Sequence, residues 1–200
     1  MRYLFNREPE ASNASLGVLF VKVLMIVPHF VVIGVLNQLA FLSGWIGYWI
    51  VAFTGRLPSG IQDFSEFATR AWTRAMGWYT GVTDTYPPFE NDPDDYLPDI
   101  EIPRNEAPSR RWAAAGIFGL KYVAAIPHLI VLAFLMVGVI ISSWIGFFIV
   151  LFRGRLPEEL QDFYLGTTQW LVRVYTWITG LTDEYPPFDL LVHPLDYRGS

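Results

Sequence analysis

Apolar residues dominate two long blocks, Leu16 to Phe53 and Trp112 to Phe152, and charge is almost absent from the inner part of each. Either block far exceeds the roughly 20 residues that one membrane span needs and is long enough for two spans with a tight turn. The pattern predicts a helical hairpin in each block, with helices near 16–36, 39–54, 112–136 and 138–153. Asn37-Gln38 and Ser43-Gly44 offer the turn in the first block, and Gly138 and Ser142-Ser143 in the second. After each block comes Arg-Leu-Pro, where the proline ends one helix and suits the start of another. Over 60–80 the apolar residues Ile61, Phe64, Ala68, Ala71, Trp72, Ala75 and Tyr79 recur at helical spacing, with polar residues filling much of the other side. The equivalent stretch after Pro157 repeats the pattern. Both predict amphipathic helices lying at the membrane interface, stopped at Gly81 and Gly180 and followed by a stiff, extended Tyr-Pro-Pro-Phe run.

The chain is an internal duplication. Residues 22–89 align with 121–188 at a constant offset of 99 and without a gap, and about 30 of the 68 aligned pairs are identical. The organisation read from this is an N-terminal segment 1–15, a first repeat 16–89, a linker 90–110, a second repeat 111–188 and a tail 189–200. Four spans would put every Lys and Arg, both termini and the linker on one face, the cytoplasmic one by the positive-inside rule. An even number of spans per repeat further predicts a pseudo-two-fold axis along the membrane normal.

The residues shared by the two copies carry a resemblance. Pro-His within an apolar helix, then Gly-Arg-Leu-Pro, Gln-Asp-Phe and Thr-Asp-x-Tyr-Pro-Pro-Phe, resembles a bacterial inner-membrane family classed only as a domain of unknown function, present here as two tandem copies. The resemblance implies a bacterial inner-membrane protein and supplies no activity.

Composition narrows the chemistry. Only 16% of residues are charged and 52% are hydrophobic, against roughly 25% charged in a soluble domain, so a membrane is the expected setting. A net charge of −5 offers no general affinity for nucleic acid. With no Cys, thiolate catalysis, disulfides and Cys-ligated metals are excluded. The linker 90–110 holds seven acids and four Pro and reads as an extended cytoplasmic spacer.

His29 and His128 lie about 20 Å into their helices, where an ionisable group is a functional candidate. Haem or metal ligation, or proton transfer, by the His pair stands beside the alternative that each imidazole serves a carbonyl freed by Pro28 or Pro127. No metal set is expected, and no cofactor unless haem on the two histidines. Lys22 and Lys121 are expected to snorkel to headgroups. Arg56 and Arg155 are expected either to contact lipid phosphates or to clamp the interfacial helix by pairing with Asp63 or Asp162, or with Asp84 or Asp183. Trp72, Trp78, Tyr86 and Phe89, with Trp170, Trp177, Tyr185 and Phe188, are expected at the interface or against partners.

No organised nucleophile and no phosphate loop is present, so an enzyme is not expected. The leading reading is a non-catalytic accessory, assembly or scaffold subunit whose partners are the lipid bilayer and other integral membrane proteins. A membrane-shaping double hairpin and a cofactor or transport protein built on the His pair stand as alternatives.

Overall fold

The computed structural model describes residues 11–89, 102 and 104–190, and among them every regular element is a helix. The helices are α1 (Ala11–Val18), α2 (Val21–Thr54), α3 (Ser59–Thr80), α4 (Arg110–Ile117), α5 (Leu120–Arg153) and α6 (Glu158–Thr179). The second three repeat the first three, as the duplication requires.

The expected hairpins are not formed. Each apolar block is one unbroken helix of 34 residues, about 51 Å long, and Asn37, Gln38, Ser43, Gly44 and Gly138 all lie within it. An uninterrupted helix satisfies its own backbone, and mid-helix hydroxyls fold back onto it: Ser43 Oγ donates to Ala40 O and Ser142 Oγ to Gly138 O. Both helices are long and apolar enough to cross a membrane.

The true breaks lie earlier, between α1 and α2 and between α4 and α5. There Phe20 and its counterpart Gly119 both adopt left-handed backbone, at φ 58° and 75°. Glycine takes that conformation without cost; a phenylalanine sacrifices on the order of 1 kcal/mol. Phe20 stacks on Trp144, with ring centroids 5.8 Å apart.

α3 turns back along α2, and α6 along α5. Ala75 and Trp78 of α3 pack on Ile26 and Ile33 of α2. Neither α3 nor α6 is a separate surface helix. Gln62, Thr69, Arg70, Thr73 and Arg74, which the periodicity assigned to an exposed side, are buried because α3 is enclosed by α2, by α6 and by the Pro88-Phe89 run that follows it.

The two repeats interlock reciprocally. α1 packs on α5 of the other repeat and α4 packs on α2. A β-carbon at Gly17 would fall within the Phe147 ring, and one at its counterpart Gly116 within the Tyr48 ring, so glycine is what admits both aromatics. Phe20 and Lys22 meet Trp144 and Phe147, while Phe41 and Tyr48 meet Tyr122 and Lys121. The start of each long helix therefore faces the later half of the other. α2 and α5 run antiparallel, and the pseudo-two-fold axis lies across them. An axis parallel to four membrane-spanning helices, as the hairpin reading required, does not describe this arrangement.

Gly44 and Gly34 separate packing from propensity. A β-carbon at Gly44 would stand 2.8 Å from the Thr179 carbonyl oxygen, whereas one at Gly34 meets nothing within 4 Å. Gly44→Ala is expected to destabilise by about 1–3 kcal/mol and Gly34→Ala to be neutral or to stabilise by up to about 1 kcal/mol. Thermal unfolding in detergent micelles checks both, and an unchanged midpoint for Gly44→Ala would contradict the α2–α6 contact.

Candidate functional site

The chemistry-bearing groups gather where each long helix begins. Lys22 and Lys121 are each 1% exposed. Neither snorkels. Lys22 Nζ donates to Trp78 O at 2.7 Å and Lys121 Nζ to Trp177 O at 2.9 Å, so each amine serves a carbonyl in the last turn of α3 or α6. Trp78 and Phe147 enclose the first amine, with centroids 4.7 and 4.9 Å from Nζ; Tyr48 and Trp177 enclose the second at 5.1 and 5.2 Å. Phe147 and Tyr48 each come from the other repeat. Tyr48 also donates its hydroxyl to Ile178 O. The amines thus sit at the two seams of the duplication.

Asp84 and Asp183 lie beside these amines and hold the preceding segments. Asn13 Nδ2 donates to Asp84 at 2.5 Å, and Asp183 accepts from Asn105 Nδ2 at 3.1 Å and from the Ser109 backbone N–H at 2.7 Å. The expected Arg clamp is not built this way. Arg56 and Arg155 are exposed, and Asp63 pairs with Arg104 at 2.7 Å, because the segment before α4 passes over the start of α3. Asp162 is exposed. Arg155 lines an open groove with Arg153, Glu158 and Glu159.

The two histidines are kept apart, each collared by the Tyr-Pro-Pro-Phe run of its own repeat. Phe89 stacks on His29 at 4.0 Å and Phe188 on His128 at 3.8 Å. Tyr86 OH donates to Met25 O at 2.7 Å and Tyr185 OH to Ala124 O at 3.1 Å. His29 Nε2 bonds Pro87 O at 2.8 Å, and Trp170 Nε1 donates to His128 Nδ1 at 3.0 Å. The carbonyl that His29 serves therefore belongs to the extended run and not to the helix turn that Pro28 opens. With a phenyl ring over each imidazole, the pair does not form one ligand set, and no group of three or more His, Asp or Glu among the described residues could hold a metal ion.

The aromatics expected at the surface divide. Trp78, Trp170 and Trp177 are buried, Trp72 is half-buried against Phe30, and Tyr86, Phe89, Tyr185 and Phe188 are partly exposed around the histidines. The lysine cages were missed in the sequence, although the recurrence of Lys22 as Lys121 and of Trp78 as Trp177 was their signal.

Residues 18–90 and 117–189 each match the family described as Domain of unknown function (DUF4389). The chain belongs to that family, in two tandem copies. The matched DUF4389 segments enclose both lysines, both histidines and both Tyr-Pro-Pro-Phe runs. No curated protein and no solved structure matches the chain.

In this DUF4389 pair the lysine cages act as fasteners. Lys22→Ala is expected to destabilise by about 2–4 kcal/mol through a cavity and the loss of the bond to Trp78 O, which would keep only its bond from the Gly81 N–H. Lys22→Met keeps most of the volume and is expected to cost about 1–2 kcal/mol. Denaturation of the detergent-solubilised variants measures both, and wild-type stability in each would put the lysine back at the surface.

Proposed function

We propose that this protein is a non-catalytic protein of the bacterial inner membrane whose two long helices lie within one leaflet, where it shapes or engages lipid, with both termini and the linker in the cytoplasm. The observation that carries this reading is that basic residues flank both ends of each unbroken helix. Arg2 and Arg7 precede α2 and Arg56 follows it; Arg110 and Arg111 open α4 ahead of α5, while Arg153 and Arg155 close it. Basic flanks favour the cytoplasmic side, so both ends of each helix belong there. An unbroken helix meets that demand by lying in the plane.

Length argues the same way. A helix of 34 residues would need a tilt of about 54° to fit a hydrocarbon core of about 30 Å, beyond the roughly 0–40° seen for spanning helices. The linker adds a third argument. Phe89 lies on His29 near the start of α2, and Ser109 bonds Asp183 beside Tyr48 near its end. With upright helices, the sequence between Phe89 and Arg104, with six acids, would have to join opposite membrane faces, at about 2.5–3.5 kcal/mol for any charge held at the centre. The apolar side chains exposed along α2 and α5, among them Leu24, Val31, Leu42, Phe134 and Ile141, are then the surface that lipid covers.

A second reading, an accessory or scaffold subunit of a larger membrane complex, is favoured by Gln38. It is exposed midway along α2, where the second copy has Val137. Amides at such positions bond across helices to a partner.

The absence of native cysteine makes the test clean. Ala11→Cys and Arg56→Cys, at opposite ends of the α1–α2 unit, are expected to react with a membrane-impermeant maleimide only in inside-out vesicles. Labelling from opposite sides would overturn the one-leaflet placement. Liposome tubulation by the purified protein is the expected functional result, and stoichiometric co-purification of larger subunits would instead establish the second reading.

A further inference from the structure

The duplication supplies its own control for which polar groups the fold needs, and one cleft fails that control. Between α2, α3 and α6 lies a cleft of about 180 Å³ lined by Asn37, Phe41, Thr69, Trp72, Leu171 and Tyr175. The Tyr175 hydroxyl is buried and has no hydrogen-bond partner. Nor does the Asn37 amide hydrogen-bond to any described residue, although it sits midway along α2, whose one charged residue, Lys22, lies about four turns away. A buried hydroxyl and a mid-helix amide without partners are costly, and the cost is recovered when a ligand supplies the missing atoms.

The other copy shows that the fold does not demand these groups. At the offset of 99, Asn37 corresponds to Met136 and Tyr175 to Met76. Met76 is 4% exposed within the main core and Met136 packs against it. One side of the pseudo-symmetric bundle is thus filled with thioether, and the other is open, aromatic and polar. Phe41 and Tyr175 meet edge to face at 5.4 Å and 88°, and Trp72 stands beside them on the cleft wall. Such walls accept a flat ring. The volume is below the roughly 300–1,000 Å³ of drug-sized pockets, so it holds a head ring while any tail stays outside, along the exposed Val35, Leu39 and Leu42 of α2.

We propose that the cleft between α2, α3 and α6 binds a bilayer-dissolved ring carbonyl compound of the isoprenoid quinone class, with a carbonyl oxygen accepting from the Asn37 amide and the Tyr175 hydroxyl. Both donors are neutral, as the site requires. Burial raises the Tyr175 phenol above its ordinary value, so it remains protonated and able to donate. The proposal concerns binding alone and holds whether α2 lies flat in one leaflet or spans, so an adverse result in the maleimide experiment leaves it standing.

The test uses the full chain in quinone-free phospholipid nanodiscs, with decylubiquinone as probe and tryptophan fluorescence as readout. Saturable quenching by one equivalent is expected. Asn37→Met, which installs the residue of the other copy, and Tyr175→Phe, which removes only the hydroxyl, are each expected to weaken binding roughly five- to tenfold without changing helix content or lowering the unfolding midpoint of the ligand-free protein. Trp72→Leu, again the other copy's residue, is expected to abolish the saturable part. Purely linear quenching, or saturable quenching that Asn37→Met and Tyr175→Phe both leave intact, would overturn the site. Equal competition by n-decanol would overturn the ring assignment.

Discussion

A lysine amine sealed beneath tryptophan has to find an acceptor, and in this protein the acceptors at hand are the last carbonyls of a neighbouring helix. Lys22 meets Trp78 O and Lys121 meets Trp177 O, which fixes the end of α3 against the start of α2 and the end of α6 against the start of α5. The remaining wall of each cage is an aromatic ring of the other repeat, Phe147 or Tyr48. A single polar requirement thereby sets the return of α3, the antiparallel course of α2 and α5, and the seam between the copies. The glycines at 17 and 116 follow from it, since the rings that close the cages press against them.

Once the polar requirements are met inside, the outer faces of the long helices are free to be apolar. Burial involves a minority of the most apolar window of each, 22% in both. Some of the charge lies inside, where Lys22, Lys121, Arg70 and Arg74 are buried and Arg70 lies 2.5 Å from Glu66, whereas Arg56, Arg155, Asp63 and Asp162 stay exposed near the helix ends. Along the two long helices this inverts the usual order of a soluble bundle, in which apolar stripes face inward and charge faces water. An inverted bundle of this kind is stable where its surroundings are hydrocarbon, since the exposed leucines and valines then cost nothing and the buried arginines keep their partners.

Much of this was legible along the chain. The duplication, the helical class, the helix starts after Pro58 and Pro157 and the stops at Gly81 and Gly180 all follow from local chemistry that nothing distant overrides. The hairpins were misread because turn-forming residues in water are not turn-formers in an apolar stretch: leaving the helix at Asn37-Gln38 would strand backbone groups with no water to receive them. The burial of Lys22 was misread for a related reason. A lysine near a helix end has two outlets, headgroups or a neighbour's carbonyls, and sequence spacing does not say which neighbour stands close. The Asp63–Arg104 pair depended on where the linker returns, which periodicity does not carry.

The positions where the copies diverge have a physical logic of their own. Trp72 and its counterpart Leu171 both line the cleft where α3 meets α6, beside the pseudo-two-fold axis. On such an axis a residue confronts its own copy, and two indoles would contend for the volume that one indole and one isobutyl group fill. Asymmetry at that point is therefore a packing necessity, and once it exists the flanks of the axis are no longer equivalent. On one flank Met76 and Met136 complete the core; on the other, Asn37 and Tyr175 face a cleft. A duplicated fold acquires a single site in this way: the fasteners at its two seams have to match, while the crossing at its centre cannot.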